Sequence, residues 1–203
     1  MIAIINYGAG NLFSLSCSLR ALGTSPVITD DAEIIHKADK LILPGVGAFG
    51  DAIDALRSRG LDSVIRRETA AGKPLFGICL GMQLLFTRSY EFGVHDGLDL
   101  IPGEVRPLEG RIPSEYKIPQ IGWNSLHIVK PDSPMMKNCR EGEHVYFVHS
   151  YAACDCDGST VATTEYGATV TAAAEYKNVM GCQFHPEKSG SVGMLILRAF
   201  CEL

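Results

Sequence analysis

Three features of the sequence predict an α/β chain with a mostly parallel central sheet flanked by helices and a strand-rich C-terminal extension. The first two-thirds alternates short β-branched apolar runs with amphipathic segments, the pattern of a parallel sheet covered by helices. From about residue 104 the texture changes to short alternating runs, which favour antiparallel or mixed pairing. A final amphipathic segment then closes the chain. A length of 203 residues without repeats, low-complexity tracts or linkers favours one domain over residues 1–203.

Each element has its own local reason. Residues 1–6 form an apolar run and read as the first strand. Asn11 can cap a helix whose Leu12, Leu15, Leu19 and Leu22 share one face, and Gly23 is placed to end it. Residues 25–29 and 40–43 are the next two strands. The glycine-rich stretch 44–50 cannot continue as strand, so helices over 51–59 and 61–71 follow it. Residues 74–79 form a buried strand, and 80–87 reads as a helix. Beyond it, strands are expected at 103–106, 121–129, 144–149, 160–164, 169–176 and 179–184. A helix over 191–202 carries Val192, Leu195, Ile196 and Phe200 as its stripe.

Composition excludes several classes of function. The chain is 46% hydrophobic and 20% charged, with 18 Lys plus Arg against 23 Asp plus Glu and a net charge of -5. No long single-sign block interrupts that mixture, so no nucleic-acid footprint exists. The N-terminus has no basic leader and no stretch approaches the roughly 18 apolar residues of a membrane span, so a cytoplasmic protein away from membranes is expected. The seven cysteines are odd in number and too sparse for a disulfide scaffold. Cys154 and Cys156 lack a second ligand pair, and no metal site is expected.

Chemistry concentrates at two places. Gly77-Ile78-Cys79-Leu80-Gly81 sits at a strand-to-helix junction, a nucleophile-elbow pattern with Cys in the nucleophile position. The helix opening after Cys79 favours its thiolate. A thiol nucleophile needs a base and a group that orients the base. His185-Pro186-Glu187 follows a β-patterned run, and the proline biases His185 toward extended backbone, so His185 and Glu187 can point the same way. The other six cysteines lack flanking glycines and read as packing residues, while His36, His95, His127 and His144 read as surface or satisfied core residues. The Pro44–Gly47 stretch superficially suggests phosphate binding, but no G-x-G-x-x-G or Lys-Ser/Thr ending follows.

Gly77-Ile-Cys79-Leu-Gly-Met-Gln83 combined with His185-Pro-Glu187 resembles the class I, triad-type glutamine amidotransferases, which share a flavodoxin-like fold, and the likeness covers essentially the whole chain. Residues 5–11, 43–50, 118–124, 149–151 and 184–189 resemble, within that family, the glutaminase subunits of imidazole glycerol phosphate synthase. The resemblance implies that L-glutamine is hydrolysed to glutamate and ammonia, with no cofactor. The ammonia passes to a cyclase subunit folded as a (β/α)8 barrel, in a heterodimer of histidine biosynthesis. It implies Cys79, His185 and Glu187 as the triad and Leu80 with Val46 and Gly47 as the oxyanion hole. Gly45, Gly47, Gln83, Glu91, Ser150 and Tyr151 would line the glutamine pocket. Tyr7, Asn11, Gln120, Trp123, Asn124 and Lys188 would face the cyclase. Three alternatives remain open at this level: a glutaminase serving a pyridoxal phosphate or anthranilate synthase, a stand-alone thiol hydrolase of related fold, and a non-catalytic module with Cys79 merely buried.

Overall fold

The computed structural model describes all 203 residues. Its main sheet is built from β1 (Ile2–Ile5), β2 (Pro26–Thr29), β3 (Lys40–Gly45), β4 (Leu75–Cys79), β9 (His127–Ile128), β12 (Thr160–Glu165), β13 (Thr169–Tyr176) and β14 (Val179–Cys182), in the order β2-β1-β3-β4-β14-β13-β12-β9. The first five strands in that order are parallel, and the last three are antiparallel. A four-stranded sheet of β5 (Phe86–Ser89), β6 (His95–Asp96), β7 (Ile101–Pro107) and β11 (Tyr151–Cys154) stands beside it, together with a ribbon of β8 (Gln120–Ser125) and β10 (His144–His149).

The parallel strands are apolar on both faces because helices cover both. Ala3, Ile5, Leu41, Leu43 and Leu75 enter one core, with Ile35 of α2 (Ala32–Lys37), Ile53 and Leu56 of α3 (Phe49–Ser58) and Ile65 of α4 (Leu61–Ala70). Ile2, Ile4, Ile42, Phe76 and Ile78 enter the other, with Leu15 and Leu19 of α1 (Leu12–Ala21) and Ile196 and Phe200 of α6 (Gly190–Cys201). Successive residues of one strand therefore serve opposite layers, as a period of two requires. No helix is long and apolar enough to cross a membrane.

Most elements up to Cys79 lie where the sequence puts them. Asn11 caps α1, its side-chain oxygen accepting from the Ser14 amide at 3.4 Å, and Gly23 follows in the left-handed region. Differences arise where packing overrides local pattern. The helix expected over 80–87 stops after one turn, α5 (Leu80–Gln83), and the chain bends to pair β5 with β7. Leu84, Leu85 and Phe86 are all fully buried there, so their apolar run reflects burial on every side and not a helical stripe. The run 121–129 breaks at Leu126 into β8 and β9, which join different sheets. In α6, Leu197 is buried where Leu195 was expected. Of the late strands, β9, β12, β13 and β14 join the main sheet: β14 returns beside β4, with Cys182 opposite Ile78, and brings the residues after it to the same sheet edge as Cys79.

Candidate active site

Parallel strands deliver their carboxyl ends to one edge of a sheet, and ligand sites form there. At this edge β4 ends in Cys79, β3 ends in Gly45 directly opposite it, and β14 leads into Gln183 and His185. Cys79 adopts φ 54° and ψ -114°, a region costly for a residue with a side chain. Gly77 and Gly81 make that turn possible through space: a Cβ at Gly77 would lie 2.7 Å from the Gly81 oxygen, and one at Gly81 would lie 1.8 Å from the Leu43 oxygen. Only glycine lets α5 sit this close to β3.

His185 is extended (φ -98°, ψ 99°) and precedes Pro186, which opens a single 3-10 turn over Pro186–Lys188. That turn brings Glu187 back onto the ring, and Nδ1–H of His185 donates to Glu187 Oε1 at 2.9 Å. The backbone is pinned on both sides: the His185 amide donates to Tyr146 O at 2.9 Å, and Ser189 Oγ donates to His185 O at 2.6 Å. Burial works against the charge of the imidazole, but Cys79 and Glu187 outweigh it and raise His185 to about 9. Glu187 takes one ring nitrogen and leaves the other free, in the cavity that Cys79 also lines.

A cavity of about 350 Å³ opens over these groups, lined among others by Val46, Gly47, Gln83, Glu91, His149 and Tyr151. It also touches Cys79, Leu80, Ser150 and His185, so triad, oxyanion and pocket candidates converge on one space. Glu91 Oε2 accepts from the Phe49 amide at 2.6 Å, and burial raises its carboxyl above the ordinary glutamate value. Gly45 lies beneath the cavity, against the Tyr7 hydroxyl and the Gly81 amide. Three lining groups escaped the sequence reading: Pro119, Val148 and His149. His149 donates Nδ1–H to Tyr151 O at 2.8 Å, and burial pushes its ring down to about 4, so it stays neutral.

The expected docking residues divide. Trp123 is half exposed and meets Tyr146 edge-on at 6.1 Å, and Lys188 Nζ lies 5.7 Å from the centre of that same tyrosine ring. These three offer one accessible surface, with Asn11 and Asn124 partly exposed. Tyr7 and Gln120 correct the expectation, for both are buried. Tyr7 hydroxyl donates to Pro44 O at 2.9 Å and so supports the Pro44–Gly47 turn from below. Gln120 turns its amide inward to Asn124 Oδ1 at 3.0 Å, because it opens β8 opposite His149.

An α/β sheet with a cysteine elbow beside a histidine–glutamate pair is the arrangement of a thiol hydrolase or amidotransferase. In agreement, a family model for class-I glutamine amidotransferase matches residues 3–202. The subunit HisH of imidazole glycerol phosphate synthase from Syntrophotalea carbinolica is 47% identical over the full length of both chains. The HisH subunit from Methanothermobacter thermautotrophicus is 48% identical, over 100% of this chain and 98% of that one. Among solved structures, a glutamine amidotransferase superposes with a TM-score of 0.77 at 17% identity, over 99% of this chain and 97% of the other. PurLQS from Thermotoga maritima gives 0.73 at 20% identity, over the same shares. The chain belongs to the class-I glutamine amidotransferase family, in the branch of the imidazole glycerol phosphate synthase HisH subunits.

Proposed function

We propose that the chain, as one domain, is the cytoplasmic glutaminase subunit of an imidazole glycerol phosphate synthase and hands ammonia to a cyclase partner folded as a (β/α)8 barrel. The observation that carries this reading is the strained Cys79 and a buried His185, paired with Glu187, on one cavity, in a chain whose relatives match it end to end.

In this reading Cys79 Sγ attacks the carboxamide carbon of glutamine while His185 gives its Nε2 proton to the departing nitrogen, which leaves as ammonia. A water then adds to the glutamyl thioester, its proton going to His185, and glutamate and the thiolate are released. Glu187 keeps the ring in the tautomer both steps need. The Leu80 amide and the Val46–Gly47 turn are the candidate donors to the oxyanion, and one such donor contributes about 3 kcal/mol to the transition state. Gly45, Gln83, Glu91, Ser150 and Tyr151 would hold the amino-acid end, with the Glu91 carboxylate suited to an α-ammonium group. Trp123, Tyr146 and Lys188, flanked by Asn11 and Asn124, would dock the cyclase.

The test is an assay of the complex with the cyclase subunit. Cys79→Ala abolishes glutamine-dependent synthesis but leaves synthesis from ammonium salts at the wild-type rate, since the cyclase keeps its own site. Loss of both activities would refute the division of labour. Copurification with a synthase other than the imidazole-forming one would refute the choice of partner.

A further inference from the structure

Beside the sulfur lies a pair of buried amides, Gln83 and Gln183, of which the reaction above leaves out the second. Gln183 is completely buried, in the bend between the end of β14 and His185, and its side chain reaches Cys79. Gln183 Nε2 lies 3.7 Å from Cys79 Sγ, within reach of an N–H···S hydrogen bond.

The orientation of that amide follows from a chain of acceptors. Tyr151 O can only accept, and it takes Nδ1–H of His149 at 2.8 Å and Nε2–H of Gln83 at 2.9 Å. The Gln83 nitrogen is thereby turned toward the carbonyl, and its second hydrogen goes to Gln183 Oε1 at 2.9 Å. With its oxygen held by Gln83, Gln183 has its NH2 directed at the sulfur. Reversing it would set two NH2 groups against each other and an oxygen against Sγ.

We propose that Gln183 is a further catalytic residue of the glutaminase reaction, donating a hydrogen bond to the Cys79 sulfur and held in that pose by Gln83, Tyr151 and His149. The inference rests on the reading of Cys79 as nucleophile. A donor on sulfur favours thiolate over thiol, and it favours sulfur again as leaving group when the thioester is hydrolysed, because charge returns to it in that step.

Two variants test it. Gln183→Glu keeps the size and the oxygen that accepts from Gln83 and replaces the donor on sulfur with a carboxylate oxygen, while Gln183→Met removes the polar group without adding charge and so isolates the loss of the donor. Alkylation of Cys79 by iodoacetamide is followed on the Cys79 peptide, and glutaminase kcat and KM are measured in the complex with the cyclase. At pH 7 both variants alkylate about tenfold slower than wild type or worse, the factor a hydrogen bond to a charged group supplies, and kcat falls in parallel while KM changes less than about twofold. At pH high enough to ionise the Cys79 thiol without the donor, the alkylation rates converge, which a merely structural defect would not produce. Unchanged alkylation with a raised KM in Gln183→Glu would overturn the proposal, assigning Gln183 to the support of Gln83 alone. If wild-type Cys79 reacts no faster than the other cysteines, the nucleophile reading itself fails.

Discussion

Gly81→Ala is the sharpest test of how the elbow is built. Gly81 lies outside the left-handed region, so an alanine there meets no backbone strain and the whole effect is contact. Its Cβ would lie 1.8 Å from Leu43 O, 2.8 Å from Leu43 C and 3.1 Å from Pro44 C, all backbone atoms of β3 that no rotamer change can move. Since real Cβ contacts stay beyond 3.0 Å, α5 and the end of β3 must part by about 1 Å, and a displacement of that size at reacting groups costs about 100-fold in rate. Overpacking costs about 1–3 kcal/mol, and each kcal/mol lowers Tm by about 2–4 °C in a chain of this length, so the variant still folds at assay temperature. Glutamine-dependent turnover of the complex should fall about 100-fold while ammonium-dependent turnover holds. Gly72→Ala is the control: it has φ +92° and open space, so it loses about 1–2 kcal/mol of stability and keeps its glutaminase. Gly81→Ala with wild-type kcat/KM and an unchanged melt would refute the close approach of α5 to β3.

Two further outcomes follow from the same site. His185 is raised from the ordinary 6.5 to about 9, against its burial and by Cys79 and Glu187, so its charge contributes stability in full below about pH 6.5 and loses it as pH rises through about 9. Tm measured from pH 6 to 10 should decline across that window in wild type and flatten in His185→Gln; equal slopes would contradict the pairing. Tyr7→Phe strips Pro44 O of its buried donor, costing about 1–2 kcal/mol, and loosens the turn that carries Val46 and Gly47. Glutaminase kcat should drop in that variant while its affinity for the cyclase, measured by titration, stays at wild type. Lost cyclase binding with normal kcat would return Tyr7 to the docking surface.

How far the sequence reveals such a molecule depends on whether the deciding interaction is local. β1, β3 and β4 were legible because strands buried on both faces must be apolar throughout, and the Asn11 cap because its donor is three residues away. α2 was missed: six residues are too few to establish a period, although Asp31 accepts from the amides of Glu33 and Ile34. The end of α5 and the insertion of β14 beside β4 depend on pairings with Ile101 and with residues about a hundred positions away, which local pattern does not encode. Tyr7 and Gln120, placed on the docking surface by resemblance alone, are buried because other segments close over them, which local pattern does not encode.

The motif around Cys79 was legible, but for a different physical cause than its spacing suggests. Flanking glycines read as residues that supply unusual dihedrals, yet Gly77 and Gly81 do not adopt positive φ and the strained residue is Cys79 itself. The glycines are needed because Leu43 O, Gly81 O and Met82 Cα occupy the volume their side chains would take. That distinction matters for the chemistry. A flexible turn would let the sulfur wander, whereas a turn packed against β3 on one side, with the buried Gln183 amide on the sulfur, fixes it. The strain at Cys79 is then held by the same contacts that align the sulfur with His185, so a change that relaxes the backbone there must also weaken the attack.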